Sequence, residues 1–245
     1  MFALEIGDIV ALLNVIPKKS NDEVTIFFSP DGLDIREMTD DHVALAHIQL
    51  RGHYKAEGAG AIVVPRSTLL AAIKKVLRSG VKIEYNGQTS LFISPLSGEE
   101  RYEIEVVETD VKPSKLPQLS PTCRISMPAP LFSRIINIAD EFADNPDFYT
   151  VVRFEADEGL AVAMTTGEGE LYIRPKNIIV EGGATAYYRI MPLLPLARAI
   201  RKLPLDITLQ FANNKPLLAS IAHMELSLDY YVAPYLTWPL SPVWS

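Results

Sequence analysis

The chain has 245 residues, 48% hydrophobic and 22% charged, which is apolar material for one large or two ordinary domains of about 100–150 residues each. That composition excludes a disordered chain. No apolar run reaches the roughly 18 residues of a membrane span, and Met1–Asp8 has no basic-then-apolar leader, so an intracellular chain with no membrane partner is expected. With 23 basic residues against 30 acidic ones, the net charge of −7 argues against a general polyanion binder, although it does not say where the bases lie.

In chain order, the periodicity predicts a helix over Gly7–Ile16, a strand hairpin over Val24–Ile35, a helix over Ser67–Ser79, and a strand at Val81–Tyr85. A turn at Asn86-Gly87-Gln88 and a strand through Leu91-Phe92-Ile93 follow. The same order then recurs. Val151–Val162 repeats the hairpin at an offset of 127, and Ala199-Ile200-Arg201-Lys202 repeats Ala72-Ile73-Lys74-Lys75 at that offset. Further helices are expected over Ala129–Ala143 and Pro192–Leu203, and strands at Asp206–Phe211 and Leu217-Leu218-Ala219. Residues 108–121 hold three prolines and read as an extended connector. The expected division is therefore 1–107, connector 108–121, and 122–245. Because strand runs outnumber helices and follow one another through short turns, the class is α+β, with antiparallel sheets and helices on one face.

The helix beginning at Ser67 carries Leu69, Ile73, Val76 and Leu77 on one stripe and Lys74, Lys75 and Arg78 opposite, with no acid. Its counterpart carries Arg198, Arg201 and Lys202, again with no acid. Bases near helix C-termini also complement the macrodipole, so two readings stand: a basic face, or dipole compensation in an interaction module unrelated to DNA. The other helices are mixed. The first has Asp8, with Lys18 and Lys19 just beyond it, and the third sets Arg134 among Asp140, Glu141 and Asp144.

Enzyme signatures are weak. Asp40-Asp41-His42 has the elements of an acid–base pair, but no nucleophile accompanies it, and a turn is the simpler reading. Thr165-Thr166-Gly167-Glu168-Gly169-Glu170 opens onto a strand instead of a helix and reads as a hairpin tip. Cys123 cannot form an internal disulfide and has no basic neighbour to activate it, and His42, His47, His53 and His223 lack metal-ligand spacing. No cofactor, metal or catalytic residue is expected.

The segment Asp31–Ala46, containing Gly32-Leu33-Asp34-Ile35-Arg36-Glu37-Met38, resembles the signature of the proliferating cell nuclear antigen (PCNA) family of sliding clamps. Leu228–Tyr235 resembles that family's C-terminal Tyr-Tyr-Leu-Ala-Pro strand. With the duplication and the connector, the resemblance covers nearly the whole chain. It implies the DNA-clamp fold, with two helices per domain lining a hole and sheets outside, in a trimeric ring around duplex DNA. It also implies a non-enzymatic processivity factor with DNA polymerase, other replication and repair proteins and a clamp loader as partners. By the same resemblance, Lys18, Lys19, Lys74, Lys75, Arg78, Arg134, Arg198, Arg201 and Lys202 would face DNA. Met38, His42, Leu45, Leu116, Pro117, Pro216, Tyr231, Val232, Ala233 and Pro234 would form a client-peptide pocket. Tyr102, Ile104 and Val106 would meet Leu171, Tyr172 and Ile173 of a neighbouring chain. Localisation would be cytoplasmic for an archaeal source, the expected one, and nuclear for a eukaryotic one. Two departures stand out: Ala11, Leu12, Leu13 and Asn14 replace the lysines many relatives carry in the first helix, and the chain runs on through Trp238 and Trp244. The alternatives are a dedicated subunit of a heterotrimeric or checkpoint-like clamp, and an enzyme using Asp41 and His42.

Overall fold

The computed structural model describes residues 1–76, 80–143, 150–166 and 169–236. The first half runs β1 (Phe2–Ile6), a 3₁₀ helix (Asp8–Val15), β2 (Glu23–Ser29), β3 (Gly32–Met38), β4 (Ala44–Leu50), β5 (His53–Ala56) and β6 (Gly60–Pro65). It continues through α1 (Arg66–Val76), β7 (Val81–Tyr85), β8 (Ser90–Pro95) and β9 (Tyr102–Glu105). After β10 (Val107–Glu108) and the connector, the second half runs β11 (Cys123–Pro128), α2 (Ala129–Phe142), β12 (Val151–Ala156), β13 (Leu160–Thr166), β14 (Gly169–Ile173), β15 (Ile179–Gly182) and β16 (Ala184–Arg189). It ends with α3 (Leu193–Ile200), β17 (Asp206–Phe211), β18 (Leu217–Ala222) and β19 (Leu226–Val232).

The two halves weave these strands alike. The order β5-β1-β7-β8-β9 in one matches β15-β11-β17-β18-β19 in the other, and β6-β2-β3-β4 matches β16-β12-β13-β14. All the pairings are antiparallel. The halves join where β19 pairs with β4, from Leu226 opposite Leu50 to Val232 opposite Ala44, which fuses strands of both into one ten-stranded sheet.

Alternation fixes which face is core: Val24, Ile26 and Phe28 on β2 and Leu33 and Ile35 on β3 point inward, and their neighbours point out. The halves fill equivalent core sites differently. Phe2, Phe28 and Tyr85 stack within 5.4–5.8 Å of one another in the first. At those sites the second half has Cys123, Ala156 and Phe211, and the space is taken by Phe154 and Tyr188, with ring centroids 5.4 Å apart. Cys123 is thus a small packing residue, and burial pushes its thiol up.

The helices form one row: α1 against the 3₁₀ helix, that helix against α3, and α3 against α2. The expected first α-helix is a 3₁₀ helix instead. At three residues per turn, Ile9, Leu12 and Val15 make one buried row and Val10, Leu13 and Ile16 another, leaving Ala11 and Asn14 outward. A 3.6-residue period would spread those apolar side chains around the helix. Pro195 falls in the first turn of α3, where the missing N–H has no helical partner to lose.

Candidate functional site

Three features carry functional side chains: the helix row, the outer face of the β4–β19 seam, and two sheet ends.

On the helix row, Lys74 and Lys75 of α1, Arg134 of α2, Arg198 of α3, and Arg201 and Lys202 just beyond it are exposed, as is Lys18. The Lys75 ammonium stands 4.9 Å from the centre of the Tyr102 ring, which holds it at the corner between α1 and β9. Lys19 departs from the sequence expectation. Its Nζ donates to Glu37 Oε2 at 2.6 Å, because Glu37 is 2% exposed on the core-facing side of β3 and needs a counter-charge. Lys19 therefore serves the end of β3, not the helix row. Arg78 lies outside the described residues, as do Asp144, Gly167, Glu168, Trp238 and Trp244.

The seam's outer face carries an apolar row set by register: Met38 opposite Leu45, Leu45 opposite Tyr231, Tyr231 opposite Leu218. Leu45 and Tyr231 are 3% and 8% exposed yet stand apart from the main core cluster, as expected of side chains buried on the outside of a sheet. Ala233, Pro234, Pro216 and Leu116 are half-buried, and Pro117 is exposed. The Ala233 N–H donates to Val43 O at 2.8 Å. Val232 does not join them: it is fully buried in the core, because Tyr231 points out and the next residue must point in. Leu218 is the residue the sequence reading missed. Its position one step from the inward Leu217 was the available signal.

Beside the row, a groove of about 330 Å³ lies between β3 and the connector. Met38, His42 and Arg36 line one wall and Val111, Lys112 and Ser114 the other, so the connector wall lies upstream of Leu116 and Pro117. Arg36 holds the connector down, donating from Nη1 to Ser114 O at 3.0 Å while its Nε and Nη2 grip Asp34. Asp41 accepts the Val43 N–H at 3.2 Å, and His42 Nδ1 lies 2.9 Å from Met38 Sδ, so these two side chains are spent on the turn and the groove.

On this same face, two residues along β4 from Leu45, sits His47, 5% exposed, with Nε2 3.1 Å from Asp34 and Nδ1 3.8 Å from Asp229, the second an ion-pair distance and not a hydrogen bond. Burial opposes its charge, but the carboxylates of Asp229 and Asp34 outweigh burial and raise its pKa to about 8. The imidazolium thus ties β3, β4 and β19 together.

The third feature is a pair of sheet ends. β9 and β14 end their sheets with no strand beside them among the described residues, yet their counterparts β19 and β4 pair with each other. Ile104 and Val106, each 3% exposed, face this chain's own core and do not present their side chains at the edge. The Val106 N–H donates to Thr89 O. By alternation Tyr102 and Ile104 also aim their amides at β8, so Glu103 and Glu105 carry the outward donors. On β14, Tyr172 is 52% exposed and Leu171 and Ile173 are half-buried.

Solved structures share this fold. The A. fulgidus PCNA bound to the C-terminal region of FEN-1 matches with a TM-score of 0.81 over 97% of this chain and 99% of that one, at 17% identity. The chain has the PCNA clamp fold. The T. kodakaraensis PCNA matches at 0.81 over 96% and 100% of the two chains with 16% identity, and the Entamoeba histolytica PCNA at 0.80 over 96% and 99% with 13%. No protein-family model and no curated protein matches the sequence. Among the described residues of this PCNA-like chain, no group of acidic, histidine and cysteine side chains could hold a metal ion, and no helix is long and apolar enough to cross a membrane.

Proposed function

We propose that the chain is a non-enzymatic sliding clamp that closes into a trimeric ring around duplex DNA and tethers replication and repair proteins, its halves being 1–107 and 122–245 joined by the connector 108–121. The observation that carries this reading is the seam. An edge that pairs inside the chain as β19 with β4 is presented again, without a neighbour among the described residues, as β9 and β14, and head-to-tail repetition of the same contact between copies would generate a ring where its rotation closes. Carrying the seam's register over sets Glu103 opposite Glu170, Tyr102 opposite Leu171 and Arg101 opposite Tyr172. The helix row supports the same closure, because α2 and α1 lie at its two ends and are the counterparts of the 3₁₀ helix and α3 that touch within the chain.

Such a ring would line its hole with Lys74, Lys75, Arg134, Arg198, Arg201 and Lys202, which contact phosphates without reading bases. Met38, His42, Leu45, Tyr231, Leu218 and Pro234 would receive an aromatic client peptide under the connector. The FEN-1 segment bound to the A. fulgidus protein supports a peptide-binding role. A loader would be needed to open the ring.

The test has two readings. Light scattering should give a mass of three chains. Replacing Lys74, Lys75, Arg198, Arg201 and Lys202 by alanine should leave that mass unchanged and flatten the salt dependence of duplex binding by about 0.9 for each phosphate no longer neutralised. An unchanged slope would defeat the DNA reading. A monomer that forms rings only with a second, different chain would favour the heterotrimer reading.

A further inference from the structure

The connector is tied down at both ends and hardly at all between them. At one end the Thr109 N–H donates to Ala61 O at 3.0 Å, and at the other Thr122 donates from its N–H to Phe211 O at 3.1 Å and from Oγ1 to Gly183 O at 3.2 Å. Between those ends, among the described residues, one hydrogen bond joins the connector to another part of the chain: Arg36 Nη1 to Ser114 O at 3.0 Å. Packing does not replace the missing bonds upstream of that point. Val111, Lys112, Pro113 and Ser114 are all exposed, and the half-buried Leu116 and Leu119 lie downstream. Yet Val111, Lys112 and Ser114 are the residues that form the outer wall of the 330 Å³ groove. A wall made of exposed residues has to be held in place by something other than burial.

Register explains why Arg36 is aimed at that wall. Ser220, Asp229, His47 and Arg36 stand in one line across four strands, next to the apolar row. Each polar group in the line steadies the next. Ser220 Oγ donates to Asp229 at 2.6 Å, His47 stands between Asp229 and Asp34, and Asp34 accepts Nε and Nη2 of Arg36 as a fork, both at 2.9 Å. A forked carboxylate fixes the plane of the guanidinium, so the remaining amino group is directed at the Ser114 carbonyl without further ordering. The acceptor is main chain, so the hold does not depend on which side chain stands at 114.

We infer that Arg36 is the positioning residue of the client groove, the fastener that presets the connector wall before any peptide arrives. Its part in binding rests on the client-peptide reading above, whereas the fastening does not. With the wall preset, a peptide entering the groove does not have to order the connector, and an ordering cost of that kind is subtracted from affinity.

Lysyl endopeptidase reads the fastening directly, because the Lys115–Leu116 bond follows Ser114 at once and the Lys112 bond precedes a proline. Cleavage there follows the population of connector lifted off the sheet. Arg36→Ala should speed that cut about tenfold while cuts at other lysines keep their rates. Arg36→Lys keeps a cation beside Asp34 and should melt like the wild type. A single ammonium cannot both fork the carboxylate and reach the connector, so its cut should be nearly as fast. Calorimetry with a synthetic copy of the FEN-1 C-terminal segment seen on the A. fulgidus protein should show each variant binding about three- to tenfold more weakly. A wild-type cleavage rate in folded Arg36→Lys overturns the fastening, and unchanged peptide affinity in a chain that is cut faster overturns its part in the groove. A wild-type chain that leaves the peptide unbound overturns the client reading alone, since the cleavage comparison decides the fastening by itself.

Discussion

The two halves of this chain are one fold built twice, and they differ most at their sheet edges and helix faces. The seam edge of the first half, β4, carries His47 held between Asp34 and Asp229, and the equivalent position on β14 is Tyr172, exposed and neutral. An edge satisfied within the chain can be fixed by a buried charge, because its partner is always present. In the proposed ring an edge that waits for another molecule would leave such a charge unpaired, and β14 has an exposed tyrosine there instead. The helices show the same division: the 3₁₀ helix offers Asn14 and Ala11, whereas α1 and the end of α3 offer lysine and arginine. The architecture repeats, and the surfaces do not.

The largest effect should come from the waiting edge. Glu103→Pro removes an outward donor while leaving the bonds to β8 intact, so light scattering should show monomers that melt near the wild-type temperature. Ile104→Pro would instead cut an amide aimed at β8, leaving a buried carbonyl unpaired, and should cost about 1–3 kcal/mol of stability in the chain itself. If the two variants behave alike, the alternation assigned to β9 is wrong.

A middle-sized effect belongs to the seam. His47 is held at about 8 against an ordinary 6.5, so the folded state binds its proton more tightly than the unfolded state does. The stabilisation is fully present below about pH 6.5 and is lost as the pH rises through 8, in all roughly 2 kcal/mol. Melting temperature should fall across that window in the wild type, and His47→Gln should melt lower at pH 6 and remove most of the fall. A wild-type curve flat from pH 6 to 9 would mean the ion pairs hold nothing.

The smallest effect tests register. Glu103 opposite Glu170 sets like charges across the proposed junction, an arrangement worth about 0.2–1 kcal/mol against assembly per contact. Glu170→Lys should therefore let the ring persist to greater dilution, whereas Glu170→Gln should do about half as much. No shift, or an earlier dissociation, would show that the edges meet in another register.

Much of this was legible in the sequence, for identifiable reasons. The repeat shows because each hairpin pairs a β-branched and aromatic run with an acidic-glycine turn, and the bases on α1 and α3 show because a helix period separates them from the apolar stripe. Facing was harder. The sequence suits Val232, Ile104 and Val106 to outward roles, yet each points into the core, since a strand's phase is fixed only once its neighbours' register is known. Lys19 departs for a different reason: its partner Glu37 shares the inward face of Leu33 and Ile35, and a carboxylate there draws in a nearby base. The 3₁₀ helix was hidden because nearly every residue in it is apolar, and so dense a run fits either period.

The buried ion pair at the seam has a bearing on how a duplicated chain avoids folding onto itself wrongly. β9 is synthesised long before β19 and has the same shape, so a nascent chain could close β9 onto β4 and trap the first half in a false, self-satisfied state. Arg101, the residue just before β9, stands in the place that Asp229 holds on β19. Set against β4, it would bring a third cation up to His47 and Arg36, where the native partner brings a carboxylate. Such a mismatch would disfavour that shortcut and leave β4 for the strand that brings the carboxylate, so one histidine and one aspartate would tell apart two strands of the same shape.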